Sequence, residues 1–534
     1  MVLVILPLLV LAAPIDLVFT AKSTHPPPQT DRNRFSTANV LVDRIAVDPG
    51  SGYFVDTSGR ARLFHGVNAV EKVHPFLPPM APIDTSRSLG DADAAQIASW
   101  GMNVVRLGVL WQAVAPVSAD PATYNTSYLG SVKNTIEMLA RHGIWTIVDM
   151  HQDVLGAQFC GEGLPSWAMQ KALAIAGQSS SFEPFPAPKN WDLGINTTTG
   201  LPDGKLCKTH PFSNYYSTDA VAATLSALFA SAELNDDFAA HWGAVAKALV
   251  GVPGVLGYEL LNEPFNGDPF ASDAKELLPM YVKAAAAIRA YDNETIVMYE
   301  PHVTRAPAGI PTDFPPGGPG GAAYDDRQAL AYHVYCFNTT SYIALPICKL
   351  AIDLAWGASV KGLKSTGGGG FLTEFGAVGD DPVSLVLLEF VLSAAESQQQ
   401  SWAYWTYKSF DDITTANLHS ETLFNSDGTI QQPKLVKLTR PYASTIAGTP
   451  LSQHFDPKTS TFTMAWRATP LASRALTNTT TLVFASALHY PDGVAVQLAP
   501  TSGASWRALG SWIAVETAGL ASGAEVTLVL TPKP

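Results

Sequence analysis

The stretch Val255-Leu-Gly-Tyr-Glu-Leu-Leu-Asn-Glu-Pro-Phe265 decides how this chain reads. It is apolar for most of its length and then ends abruptly in Asn262-Glu263-Pro264. A strand buried on both faces has this look when it carries polar groups to the rim of a parallel sheet. Gly370-Phe-Leu-Thr-Glu-Phe-Gly376 repeats the design and delivers Glu374. Two glutamates, each at the carboxyl end of a different core strand, point to chemistry by paired carboxylates.

Outward from these two, the same apolar signature recurs. Strands are predicted at Leu63–Val67, Val104–Gly108, Trp145–Met150, Val255–Leu261, Thr295–Tyr299, Leu330–Tyr335, Gly370–Phe375 and Trp402–Tyr407. Helical patterns separate most of them, at Asp91–Trp100, Tyr128–Arg141, Thr218–Val250, Asp273–Tyr291, Lys349–Lys364 and Pro382–Gln398. Eight alternations predict a (β/α)8 barrel. A doubly wound sheet would carry a glycine-rich phosphate loop after an early strand, and none is present. Turns around Asp48–Gly52 and Thr57–Gly59 predict hairpins that plug the bottom of the barrel. After Lys434 the runs become short and alternating (Thr461–Trp466, Thr480–Leu488, Val494–Leu498, Trp512–Val515, Val526–Leu530), which predicts a C-terminal β-sandwich. The expected organisation is a barrel with its hairpin over 45–434 and a sandwich over 435–534.

At 534 residues, 47% hydrophobic and 15% charged, the chain holds enough apolar residues for this core. A net charge of −13 argues against nucleic acid or an anionic membrane as partner. Residues 1–21 resemble a signal peptide, with an uncleaved anchor as the alternative, and 22–44 read as an exposed arm. Five sequons (Asn125, Asn196, Asn293, Asn338, Asn478) suit a secretory or lysosomal route. In that compartment Cys160 with Cys207, and Cys336 with Cys348, would close two local loops as disulfides; free buried thiols are the alternative. No cysteine or histidine spacing suggests a metal.

Barrel active sites form at the carboxyl ends of the strands. Those ends supply Arg106; Asp149, His151 and Asp153; Asn262 and Glu263; Glu300 and His302; His333 and Tyr335; Glu374; and Trp405, with Lys72 after the first strand. Acids and amides bind hydroxyls and an indole face packs on a pyranose, so the ring suits a sugar. Glycosidic cleavage needs one carboxylic acid and one carboxylate. Glu263, among apolar neighbours, is the expected acid/base; Glu374, with Arg106 and Tyr335 to stabilise it, is the expected nucleophile. Asp411 and Asp412 read as solvated loop acids.

At these residues the chain resembles glycoside hydrolase family 5, and within it the endoglycoceramidases. The resemblance rests on His65-Gly-Val-Asn68 with Lys72, Asn103-Val-Val-Arg-Leu-Gly108, Asp149-Met-His-Gln-Asp153, Asn262-Glu-Pro-Phe265, Tyr332-His-Val-Tyr335, Phe371–Gly376 and Arg440-Pro-Tyr442. It implies Glu263 as acid/base and Glu374 as nucleophile, with His151, Asn262 and Tyr335 around the first sugar. It further implies Asp149, Asp153, Lys72 and Trp405 in sugar binding, no cofactor, and a glycosphingolipid substrate cleaved between glycan and ceramide. A lipid-borne substrate calls for transient contact with a membrane or micelle through an apolar lip, with Phe159, Phe182, Phe185 and Phe212 as candidates. A β-glucosidase acting on glucosylceramide, an endo-β-glucanase and a non-catalytic carbohydrate- or lipid-binding protein are the competing readings.

Overall fold

The computed structural model describes residues 43–533, apart from 178–190, 337–340, 411, 416–419 and 472–473. The leader, nearly all of the arm, Asp411, Phe182 and Phe185 lie outside the described residues. Eight parallel strands close a barrel: β1 (His65–Ala69), β2 (Val104–Gly108), β3 (Trp145–Asp149), β4 (Val255–Glu259), β5 (Ile296–Tyr299), β6 (Gln328–Val334), β7 (Gly369–Gly376) and β8 (Ser401–Trp405). Closure comes where β8 pairs with β1, Tyr404 opposite Val67. The backbones of β1 and β2 approach so closely that a Cβ on Gly66 would fall 1.7 Å from the Val104 carbonyl oxygen, so only glycine fits there.

Helices pack outside: α1 (Asp91–Ser99), α2 (Thr126–Arg141), α3 (Asp219–Ala230), α4 (Ala232–Leu249), α5 (Leu278–Arg289), α6 (Leu345–Thr366) and α7 (Pro382–Ser397). The stretch predicted as one helix over 218–250 is two, because Ser231 stops α3 and its hydroxyl accepts the Leu234 N–H to start α4. The pattern over 273–291 likewise breaks before Leu278, where Pro279 sits in the first turn of α5.

The barrel's closed end is filled by Phe64, Trp145, Leu256, Ile296 and Phe371, with Val47 and Phe54 inserted from the N-terminal hairpin. Phe54 meets Phe64 edge-on at 5.7 Å and Phe371 at 6.0 Å. The hairpin's other face joins a second core: Ala46, Val55 and Ala61 pack with Phe462, Trp466 and Val515. Its last strand, Ala61–Arg62, pairs with Thr445–Ile446 and so opens a seven-stranded sheet continued by C-terminal strands. A four-stranded sheet (449–456, 461–467, 525–532 and 494–499) completes the sandwich. Its strand Thr461–Arg467 alternates buried Phe462, Met464 and Trp466 with less buried neighbours, the period-two pattern of a half-buried sheet. Barrel and sandwich are joined by Arg440, which donates to Glu389 at 3.0 Å and Glu396 at 3.3 Å. His65 stacks between Trp402 and Tyr442, at 4.3 and 3.7 Å.

Candidate active site

Arg106, the residue in the middle of β2, is fully buried and holds the mouth of the barrel together. Its Nε donates to Glu259 and its Nη1 to Glu374 and, at 3.1 Å, to Asn68. Its Nη2 donates to Asn262 at 2.9 Å and lies 3.1 Å from Asp149 and 3.6 Å from Glu300. Burial opposes the guanidinium charge, but Asp149, Glu259, Glu374 and Glu300 outweigh it and hold its pKa well above the ordinary value. One cation cannot neutralise so many acids. Burial accordingly raises Glu259, and raises Glu300 well above the usual carboxylate range, each pushed further by neighbouring acids.

Glu263 follows β4 in a turn whose backbone is left-handed there, with φ 43°. Such a conformation costs a non-glycine residue about 1–3 kcal/mol and persists only when its surroundings impose it. Gln152 imposes it: its Nε2 donates to the Asn262 carbonyl at 2.8 Å and the Glu263 carbonyl at 3.2 Å. The Glu263 carboxyl, 20% exposed, meets His333 Nδ1 at 2.8 Å. Burial, then the charge of Asp153, pushes its pKa up to about 7 against the opposing pull of His151, Arg106 and Lys72.

Glu374 faces it across the cleft. A register shift between Leu372 and Glu374 sets this glutamate opposite His333 of β6, the re-aiming that bulges perform beside functional sites. Beyond Arg106, Glu374 accepts from the Tyr335 hydroxyl at 2.8 Å. One carboxylate oxygen of each glutamate and a ring nitrogen of His333 all lie within 4.8 Å of one another. Burial lowers His333 to about 4, only partly offset by Glu374, so the ring between the two acids is neutral near pH 7. Glu259, Glu300 and His333 form a second such cluster. Both groups have donor atoms a divalent ion could use, but the guanidinium of Arg106 already supplies positive charge to three of these acids.

A second charge network borders the first. Lys72 donates to Asp153 at 2.5 Å and Thr414 at 2.9 Å, and its Nζ sits 4.8 Å from the Trp405 ring centre. His151 bridges the two networks, 2.7 Å from Asp149 through Nδ1 and 3.3 Å from Asp153 through Nε2. Burial works against its charge, but Asp149 and Asp153 overcome it and raise the ring to about 9. The imidazole stacks on Trp405 at 5.4 Å, and the Trp405 Nε1 donates to Glu421 at 3.0 Å.

The strand-end residues Lys72, Arg106, Asp149, His151, Asp153, Asn262, Glu263, His333, Tyr335, Glu374 and Trp405 are thus brought together by direct contacts. Asp149, expected to bind sugar, is instead wholly buried between Arg106 and His151. Asp412 is no solvated loop acid: it is buried 3.9 Å from Lys72 and accepts from Thr415. Phe159 is buried in the core and Phe212 is half-buried against it, so neither forms an exposed lip. His302 turns away to Glu276, 3.4 Å off. Sequence reasoning passed over Glu259, Glu162, Thr414 and Glu421. Glu259 had a signal, a lone acid inside an apolar strand; Thr414 meets Lys72 and Glu162 from far along the chain, and Glu421 reaches Trp405 from a loop that shows no pattern of its own.

The cysteines pair as Cys160–Cys207 and Cys336–Cys348.

Comparison with known proteins places this geometry. Residues 82–411 match the family model described as cellulase (glycosyl hydrolase family 5), and 440–529 match the glycoside hydrolase family 5 C-terminal domain. An endoglycoceramidase of Cyanea nozakii is 30% identical over 92% of this chain and 94% of its own length. One from Hydra vulgaris is 30% identical over 86% and 84%. The structure of endo-glycoceramidase II from Rhodococcus sp. superposes with a TM-score of 0.70 at 23% identity, over 90% of this chain and all of that one, which speaks to the fold. Barrel, paired glutamates and C-terminal module together make this chain a member of glycosyl hydrolase family 5.

Proposed function

We propose that the protein is a retaining β-glycosidase that cleaves glycosphingolipids between glycan and ceramide, with Glu263 as acid/base and Glu374 as nucleophile. The observation that carries the mechanism is the approach of the two carboxylates to within 4.8 Å, oxygen to oxygen. Retaining enzymes hold their carboxyl groups ~5–5.5 Å apart, whereas inverting ones need ~6.5–9.5 Å for an intervening water. The choice of substrate rests on the endoglycoceramidase relatives that match along nearly the whole chain.

In the first step a Glu374 oxygen attacks the anomeric carbon, and the bond from that carbon to the ceramide oxygen breaks. The electron pair leaves on the ceramide oxygen, which takes the proton held by Glu263. Arg106 and Tyr335, hydrogen-bonded to Glu374, fix its carboxylate for attack. In the second step Glu263, now a carboxylate, takes a proton from water as that water attacks the same carbon. The ester bond to Glu374 breaks and the sugar leaves with its configuration kept. Asn262 and His151 lie beside this centre, and Asp153 and Trp405 extend it, the indole offering a platform for the next sugar.

Incubation with lactosylceramide, glucosylceramide and cellopentaose, followed by product identification, tests the reading. Intact lactose plus ceramide is expected. Release of glucose alone from glucosylceramide, with lactosylceramide untouched, would favour a glucosidase instead.

A further inference from the structure

Helix α6 is apolar on two faces. One, with Cys348, Ile352, Ala355, Trp356 and Ser359, is buried against the barrel. The other is open: Ile347 (68% exposed), Leu350 (60%) and Leu354 (48%) recur at helical spacing, and Tyr342 and Ile343 (89%) extend the patch from the turn just before the helix. A contiguous exposed stripe of this kind marks a contact surface rather than ordinary surface scatter.

Three features say what contacts it. The first is position. Tyr335, whose hydroxyl bonds Glu374, follows the end of β6 shortly before α6 in the sequence, and the Cys336–Cys348 disulfide fastens the strand end to the helix. The stripe therefore stands at the mouth end of α6. Further along the helix, away from the mouth, the exposed residues are Lys361, Lys364 and Ser365. Phe270, 78% exposed on the loop after Glu263, adds an apolar group at the same mouth. The second feature is charge. Lys349 and Asp353, the ionic groups flanking the stripe, neutralise each other at 2.5 Å, and the whole chain carries −13. An anionic surface would be repelled and an uncharged one would not. The third is size. A stable protein partner takes about 20–30 residues a side, whereas an interfacial helix engages lipid through a single apolar face.

We propose that the exposed apolar face of α6 together with the turn before it, residues 342–354, docks the enzyme onto a zwitterionic lipid surface and so presents the barrel mouth to substrate held there. The proposal rests on the glycolipid reading for its choice of occupant. Its own test needs no substrate: wild type and Ile347→Asp/Leu350→Asp are co-sedimented with phosphatidylcholine vesicles. Wild type is expected to bind, and the double variant to lose about tenfold or more in partitioning. The variant should also lose turnover of vesicle-borne lactosylceramide while hydrolysing a soluble aryl β-lactoside within about twofold of wild type, since both changes lie in solvent. Failure of wild type to bind vesicles, equal binding by the variant, or a wild-type dimer that the variant splits would overturn the proposal. Vesicle binding by a wild type that leaves lactosylceramide intact would support the docking surface and count against the substrate.

Discussion

The closed end of the barrel and its mouth are built from the same eight strands under opposite rules. At the closed end Phe64, Trp145, Leu256, Ile296 and Phe371 touch one another and the inserted Val47 and Phe54. At the mouth, Arg106, Asp149, Glu259, Glu300, His333 and Glu374 are buried as well. An apolar plug tolerates any residue set of the right volume. A buried charge network does not, because several acids share the one guanidinium of Arg106 and removing that cation strands them. Damage at the two ends should therefore differ in kind.

The largest effect is expected from Glu374→Gln, which deletes the nucleophile while preserving its shape: kcat should fall by about 10^4-fold or more with the melting temperature little changed. Glu263→Gln should cost about 10^2–10^4-fold on substrates with a poor leaving group. It should also remove a titration. The raised pKa of Glu263, about 7, means the acid is protonated below that pH. Activity of the wild type should thus fall as pH rises through neutrality, and a kcat/KM profile should show this alkaline limb vanish in the variant. Arg106→Met should destabilise by about 3–5 kcal/mol, read by denaturant unfolding, because several buried acids lose their shared cation. Phe64→Ala should cost a similar ~3–5 kcal/mol through its cavity, yet leave kcat intact in the folded fraction. That contrast is the sharpest check that the two ends do different work. The smallest effect belongs to Lys72→Met, which frees Asp153 and Trp405 from their shared cation and should lower kcat/KM by about ten- to a hundredfold, near 1–3 kcal/mol.

Much of this was legible in the sequence because the strands announce themselves. An apolar run ending in Asn262-Glu263, and another carrying Glu374, required two acids at one rim, and the rim closes as expected. Glu259 was missed for the complementary reason: it sits inside β4, and what lets an acid lie there is Arg106 on another strand. The contacts of Thr414 with Lys72, Asp153 and Glu162 join three separate loops that no local pattern links. The N-terminal hairpin was read only as a plug, since nothing in its own residues reveals that Ala61–Arg62 pairs with a strand nearly four hundred residues on. The two faces of α6 have equal claim to the core by periodicity. Only the fold shows which of them meets water.

Covalent trapping decides whether Glu374 attacks carbon. Treatment with a 2-deoxy-2-fluoro-β-lactosyl donor carrying a good leaving group, followed by proteolysis and mass spectrometry, should place one fluorolactosyl group on the peptide containing Glu374 and none on Glu374→Gln. A label on any other residue, or turnover without any accumulated adduct and with inverted product, would contradict it.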